Sequence, residues 1–325
     1  MSDLPRVCIV TPSFNQAQYL EDTIRSVLDQ GYPNLEYIIV DGGSTDGSVD
    51  IIRKYESKLA WWVSEPDEGQ ADGIRKGLAR ATGEIVAWIN SDDYYLPGAI
   101  LQAASFLKIR PEAGMVYGDV VSLNGKGQPI NVQRLPDYTL LDLMTFHIIG
   151  QPSVFMRRSV YEKTGGIDPR FHYLLDHQLW LKIAAGSKIY HLPALWSAAR
   201  YHADAKNVAL AARFGREAYQ IVDWLAVTEP FAVLYKANKR KIIAGAHWLN
   251  AWYCSVGGKY GRSIAAYWRA FWRNPGRVIA DWKRVLLTVA SLLGIQGIQQ
   301  RYQQERVDQL AADPEMARLF RARRS

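Results

Sequence analysis

The first two hundred residues alternate between short apolar runs and stretches with helical spacing. Residues 6–11 read as a strand. Residues 19–30 read as a helix with Leu20, Ile24, Val27 and Leu28 on one face, and residues 35–40 as a second strand that ends at Asp41. Gly42-Gly43-Ser44-Thr45-Asp46-Gly47 is a turn with capping residues, and a helix follows it through Tyr55. Residues 60–63 read as a strand and 70–81 as a helix. Residues 84–89 are an apolar strand running into Asn90-Ser91-Asp92-Asp93, and Pro97 opens a helix that reaches about Arg110. Such alternation predicts the α/β class, with a mostly parallel, Rossmann-like sheet carrying helices on both faces.

The pattern then changes. Residues 115–123 and 129–133 flank the turn Asn124-Gly125-Lys126-Gly127 as a hairpin. Residues 153–156 form a short strand, 176–185 a helix, and 188–191 and 196–201 two further short strands. From about Ala205 the chain reads as helical to its end. The expected division is an α/β unit over 1–204 and a helical, basic, tryptophan-rich region over 205–325.

Charge sharpens that division. Of the 39 Lys+Arg and 32 Asp+Glu, residues 205–325 hold 20 and 8, a balance of +12; the first 204 residues hold the other 19 and 24, a balance of −5. Six of the 11 tryptophans also lie in the basic part, so the two parts should meet different partners. The 48% hydrophobic content is enough for a sizeable core, and two cysteines, Cys8 and Cys254, do not make a disulfide framework. The first residues lack a secretory-signal pattern. The longest weakly polar stretch, residues 285–298, falls short of the ~20 apolar residues a spanning helix needs. A cytoplasmic protein without a transmembrane helix is expected.

Four segments carry candidate chemistry, each with a plainer alternative. Asp41 ends a parallel strand, where a carboxylate meets a nucleotide base or ribose, or simply starts a turn. Asp92 and Asp93 suit Mg²⁺ or Mn²⁺ bridging a diphosphate, or turn chemistry before Pro97. Residues 64–77, with Asp67, Gln70, Asp72 and Arg75, offer polar groups and a helix start to a phosphate; Lys76 reads better as part of a solvated face. Asp176 stands where a helix begins, as a general base or as its N-cap. His202 is a lone histidine after a strand, a weak candidate for a metal or phosphate ligand.

Taken in order, these segments resemble the inverting family 2 glycosyltransferases of the GT-A fold, of the bacterial polysaccharide-biosynthesis and cell-envelope type. Thr11-Pro12-Ser13-Phe14-Asn15-Gln16 looks like that family's opening motif, Val40 to Gly47 like its nucleotide-binding turn, and Trp88 to Asp93 like its metal-binding motif. Gly165-Gly166-Ile167-Asp168 with Asp176-His177-Gln178-Leu179-Trp180 looks like its base motif. The resemblance spans about residues 5–202. It implies transfer of a sugar from a nucleotide-sugar donor, with UDP-sugars foremost, to a hydroxyl of a glycan or lipid-linked acceptor. On that scheme Thr11, Pro12, Ser13, Asn15, Asp41, Gly43, Ser44, Asp67, Gln70, Asp72, Arg75 and Asp92 line the donor site. Asp92, Asp93 and His202 hold Mg²⁺ or Mn²⁺, and Asp176 is the base. Three departures stand out: Gly42 where many members carry a second Asp, Asn90-Ser91 in place of a more acidic run, and Arg75 where relatives often have Asn. Two rival readings are a sugar-1-phosphate nucleotidyltransferase and a degenerate transferase serving as a membrane-bound scaffold. Against the first, Pro12-Ser13-Phe14-Asn15-Gln16 stands where that class has a Gly- and Arg-rich loop.

In the basic region Tyr260, Ile264, Tyr267 and Phe271 share one helical face, with Arg262, Arg269 and Arg273 supplying charge. This pattern suits a helix lying on an anionic membrane surface, on the inner face of the cell membrane. The plainer alternative packs the aromatics inward. No nucleic-acid-binding motif is present.

Overall fold

The computed structural model describes residues 4–202 and 205–322. Strands β1 (Val7–Ser13), β2 (Leu35–Asp41), β3 (Trp61–Ser64) and β4 (Ile85–Trp88) alternate with helices α1 (Ala17–Leu28), α2 (Ser48–Tyr55) and α3 (Gln70–Arg80). Next come β5 (Tyr94–Tyr95), α4 (Ala99–Ile109), β6 (Ala113–Asn124), β7 (Pro129–Gln133), α5 (Leu140–Met144), β8 (Val154–Arg157), α6 (Arg158–Lys163), α7 (Leu175–Gly186) and β9 (Lys188–Tyr201). The remainder is helical: α8 (Lys206–Ala209), α9 (Ala211–Val227), α10 (Phe231–Val256), α11 (Tyr260–Phe271), α12 (Pro275–Ala280), α13 (Trp282–Leu292), α14 (Gln296–Ala311) and α15 (Pro314–Ala322).

One sheet runs β3-β2-β1-β4-β8-β6-β9-β5, with β7 paired to β6. Its first four strands are mutually parallel, as is the β6–β9 pair, while β5, β7 and β8 run antiparallel to their neighbours. The two-residue side-chain period of a strand explains why helices cover both faces. Val7 and Ile9 of β1, Tyr37 and Ile39 of β2, and Ile85 and Ala87 of β4 point to one core with Leu20, Ile24, Ile52 and Ile100. Their alternates Cys8, Val10, Ile38, Val40, Val86 and Trp88 point to the other core with Ile74, Leu78, Leu179 and Ile183. Both cysteines are free and buried.

One expectation is corrected, and two short helices are added. The pair of strands expected at 188–191 and 196–201 is one strand, β9, carried through a register irregularity opposite Gly118. A Cβ at Gly118 would lie 2.5 Å from the Trp196 ring, so the close approach there requires glycine. The short helices α5 and α6 carry too few periodic positions to register as elements in the sequence.

The helical region is no loose appendage. Phe214, Ile221 and Leu225 of α9 and Ile242, Ala246 and Leu249 of α10 belong to the same buried cluster as Val10 and Trp88. Beyond them, α11 and α12 build a smaller cluster of their own on α10 through Ala251, Ala266, Tyr267, Ala270 and Val278. Among the described residues no helix is long and apolar enough to cross a membrane.

Candidate active site

The parallel strands β1 and β2 end level, at Ser13 and Asp41, and β4 ends opposite Val10, so the segments that follow all leave from the same edge of the sheet. At the end of β2 the Asp41 carboxylate is fully buried. It accepts hydrogen bonds from the backbone N–H of Gly43 (3.1 Å) and Ser44 (2.9 Å) and from the hydroxyls of Ser44 (2.5 Å) and Ser64 (2.7 Å). These four bonds show that Asp41 builds the turn, the plainer of its two expected roles. That turn needs Gly43, whose φ is +84°. Asn15 ties it to the end of β1, accepting from the Thr45 N–H at 2.9 Å, while Ser44 Oγ accepts from the Asn15 N–H at 2.8 Å.

Gly42 has a steric explanation. A Cβ there would lie 3.0–3.1 Å from the Asp67 carboxylate, so an acid from the next loop fills the space that a side chain at 42 would take. Thr11 faces the interior. It is buried, and its hydroxyl pairs with Tyr37 Oη at 3.0 Å beneath the sheet edge. Pro12 lies under the start of α3, against the Gly73 backbone. Ser13 Oγ is buried without a hydrogen-bond partner, which marks it as a group a ligand would satisfy.

The two adjacent acids have different environments. Asp93 is buried, with Oδ1 accepting from the Arg200 N–H (3.0 Å) and Oδ2 from Asn90 Nδ2 (3.4 Å). Burial, and the neighbouring Asp92 charge, push its carboxyl well above the usual range. Asp92 instead faces His202, its Oδ2 3.1 Å from Nε2. Asp93 thus braces the turn from within, while Asp92 and His202 face one another. The Arg200 guanidinium secures the turn: it donates to the Asp92 carbonyl (2.9 Å) and to Asp22 (2.5 Å), and it lies between the Tyr19 and Tyr94 rings. His202 Nδ1 is buried without a partner, and no group of three or more metal-ligating side chains occurs among the described residues.

From this turn a chain of hydrogen bonds runs to the loop before α7. Gln151 Nε2 donates to the Trp88 carbonyl (2.8 Å). Asn90 Oδ1 accepts from Gln70 Nε2 (2.7 Å), and Gln70 Oε1 accepts from Lys206 Nζ (3.1 Å). Lys206 also donates to the His172 carbonyl in the loop before α7. The amides of that same loop point the other way, into Glu217 of α9. Its carboxylate accepts from His172 N (2.7 Å), Tyr173 N (2.7 Å) and Leu174 N. Glu217 is only 3% exposed, so the three donors replace the water it has lost.

Asp176 sits two residues beyond this clamp. The N-cap of α7 is Leu174, so the capping alternative for Asp176 does not hold. Its Oδ1 accepts from the His177 N–H at 2.7 Å, and enclosure by protein pushes its pKa up to about 6. A carboxylate so raised is a stronger base than a free one. The remaining sequence candidates lie on α3. Asp72 pairs with Lys76 (3.2 Å), which also binds Glu65 (3.1 Å), as a solvated face would; Arg75 is exposed on the same helix. Sequence reasoning missed Gln151, Arg200, Lys206 and Glu217. Only Glu217 left a signal, as a lone acid on the buried stripe of Phe214, Ala218, Ile221 and Leu225.

Comparison with known proteins bears on this edge. Residues 8–165 match the family model for glycosyl transferase family 2. A Bacillus subtilis (strain 168) protein described as the teichuronic acid biosynthesis glycosyltransferase TuaG is 34% identical over 184 residues, covering 55% of this chain and 72% of that protein. An uncharacterized glycosyltransferase of Mycobacterium tuberculosis is 29% identical over 190 residues, covering 57% and 71%. Among solved structures, S. aureus TarS 1–349 in complex with UDP-GlcNAc superposes with a TM-score of 0.62 at 19% identity, covering 94% of this chain and 90% of that one. The mannosyltransferase PcManGT from Pyrobaculum calidifontis, in complex with GDP-Man and Mn2+, gives 0.57 at 21%, covering 94% and 85%. These two structural likenesses establish the shared fold, helical region included, and the sequence matches establish the kinship: the chain belongs to glycosyl transferase family 2 and is a glycosyltransferase.

Proposed function

We propose that this enzyme moves a sugar from a nucleoside diphosphate sugar, a UDP-sugar in the first instance, to a hydroxyl of a glycan or lipid-linked acceptor, with inversion at the anomeric carbon. The observation that carries this reading is the hydrogen-bonded chain from the Asp92 turn through Gln70 and Lys206 to the loop before Asp176. It ties a cation-binding side to a carboxylate whose pKa is held near 6. In this scheme Ser13, Asn15, Gly43, Ser44, Asp67, Gln70, Asp72 and Arg75 line the donor's side, and Asp176 takes the proton of the acceptor hydroxyl. The hydroxyl oxygen then forms the new bond to the anomeric carbon as the nucleoside diphosphate leaves from the opposite face.

The residues present fit a divalent cation. Asp92 Oδ2 and His202 Nε2 converge at 3.1 Å, a carboxylate and an imidazole, which suits Mn²⁺ better than Mg²⁺; diphosphate oxygens and water would complete the shell. Such an ion neutralises charge on the departing diphosphate. That TarS was solved with UDP-GlcNAc and PcManGT with GDP-Man and Mn2+ supports this choice of donor and metal. Residues 1–204 form the catalytic unit in this reading, with Lys206 and Glu217 of the helical region bracing it. Residues 205–325 bring it peripherally to an anionic membrane surface, on the cytoplasmic side.

Asp176→Asn should lower kcat by about 10³-fold while leaving UDP-sugar binding in the presence of Mn²⁺ unchanged by calorimetry. Full activity in that variant removes Asp176 from the role of base. A screen of nucleotide sugars, read as hydrolysis without acceptor, identifies the donor. Absence of metal-dependent binding to every nucleotide sugar would point instead to a non-catalytic scaffold.

A further inference from the structure

The aromatic face read from the sequence as membrane-directed turns inward. Tyr267 is buried with Ser263, Ala266 and Ala270, and Phe271 packs beside them against α10. A different face points out. On α11 the exposed positions Gly261, Ala265, Trp268 and Trp272 follow one another at i, i+4, i+7 and i+11, a single stripe along the helix. On α13 Trp282 and Leu286 stand exposed at i and i+4, and Leu292 and Leu293 are exposed where the helix ends. Trp268 and Trp272 are each 60% exposed, Ile279 of α12 60%, Trp282 54%, Leu286 56% and Leu293 69%. Side chains of this size normally find cover, and so many exposed on three consecutive helices mark an interaction surface.

The charge beside them has one sign. Between residues 256 and 300 the chain carries seven Lys and Arg and a single acid, Asp281. Asp281 is occupied by Trp248 Nε1 and Arg284, each at 3.0 Å. Lys259, Arg262, Arg269, Arg273 and Lys283 are exposed next to the apolar stripes. Tryptophan with a flanking arginine row is the composition of a helix lying in a lipid headgroup layer, where indoles favour the interface and cations meet anionic lipid.

We infer that α11, α12 and α13 form a docking face for an anionic lipid bilayer, with Trp268, Trp272, Ile279, Trp282 and Leu286 entering the interface and Arg262, Arg269 and Arg273 binding headgroup charge. The inference deepens the surface-association reading above and rests on it. Because α11 packs on α10, and α10 shares the core of the sheet, docking this face fixes how the active-site cleft stands over the membrane.

The test is co-sedimentation of the full chain with phosphatidylglycerol–phosphatidylcholine vesicles and with pure phosphatidylcholine vesicles. The wild type should bind the anionic vesicles, with affinity falling as salt rises. Trp268→Ala/Trp272→Ala/Trp282→Ala should reduce binding at least tenfold, and neutralising Arg262, Arg269 and Arg273 with Gln should cost roughly fivefold per charge. All six positions lie outside the catalytic machinery, so release of sugar to a soluble acceptor should be unchanged. Quenching of tryptophan emission by brominated lipid, lost in Trp268→Phe/Trp272→Phe/Trp282→Phe, reports the same insertion without a change in bulk. Wild type that ignores anionic vesicles overturns the surface reading itself. Wild type that binds them while the tryptophan variants bind equally well overturns this face alone. A tryptophan-dependent dimer in light scattering, without vesicle binding, assigns the face to a second copy and also overturns the inference.

Discussion

In the sheet half of the molecule polar groups lie inside; in the last third large apolar groups lie outside. Asp41, Asp93 and Arg200 are nearly inaccessible, yet each is held by named partners. Trp268, Trp272 and Trp282 are more than half exposed. Both regions invert the ordinary distribution, for opposite reasons. A buried charge is costly unless its hydrogen bonds are made, so an internal polar network fixes atoms where chemistry needs them. An exposed indole costs little in the isolated chain and gains only when something covers it. In the proposed scheme the first region holds a reaction and the second meets a surface. Glu217 and Lys206 cross that divide, since they belong to the helical region but hold the loop before Asp176.

The comparison can be tested from the larger effects downward. On the internal side, Asp92→Asn removes one member of the pair proposed to hold the cation. We expect about a 100-fold loss of activity at fixed Mn²⁺, and a smaller loss with His202→Ala that excess Mn²⁺ partly restores. A loss that metal titration does not alter in either variant would reduce the pair to a structural contact. At the crossing point, Glu217→Gln should lower kcat about tenfold. It should also cost on the order of 1–3 kcal/mol of stability, because a neutral amide replaces a charge accepting three N–H bonds. A purely structural Glu217 would leave the pH profile in place. Its charge, however, also helps raise the Asp176 pKa, after burial, so Glu217→Gln should move the acidic limb of activity to lower pH.

Much of this was legible in the sequence. The alternation of strands and helices was readable because each strand of the first half ends at a marked turn and each helix shows one apolar face. The site residues were legible as types: acids at strand ends, a turn of glycines and serine, an acid where a helix begins. Their states were not. Spacing alone cannot tell that Asp41 turns its oxygens onto its own loop or that Asp93 faces Arg200 across more than a hundred residues. On α11 the spacing of Tyr260, Ile264, Tyr267 and Phe271 marks one aromatic stripe, and the structure exposes a different one, which contains Trp268 and Trp272. Which of them faces α10 depends on where the small residues Ser263, Ala266 and Ala270 allow close packing, and that put Tyr267 inside. Lys206 left no trace, since its role depends on a carbonyl from a distant loop.

The smallest effect separates the two regions most cleanly, because one group drives activity and stability in opposite directions. Asp176 is held near pKa 6 against an ordinary carboxylate value near 4, chiefly by burial. For catalysis the ionised form is needed, so kcat/KM should rise with pH along a limb centred near 6. For folding the sign is reversed. Between about pH 4 and 6 the unfolded chain has already released this proton while the folded chain still binds it, so this group's contribution to stability is complete below pH 4 and is lost as pH rises through 6. Asp176→Asn removes that penalty. Thermal unfolding of the variant and the wild type should nearly coincide at pH 4, and the variant should be the more stable at pH 7 by a few degrees, although it is nearly inactive there. The tryptophan variants of the docking face carry no titrating group and should show no such pH-dependent gap. If the Asp176→Asn gap in melting temperature were the same at both pH values, the raised pKa would be wrong, and with it the account of Asp176 as a base prepared by burial.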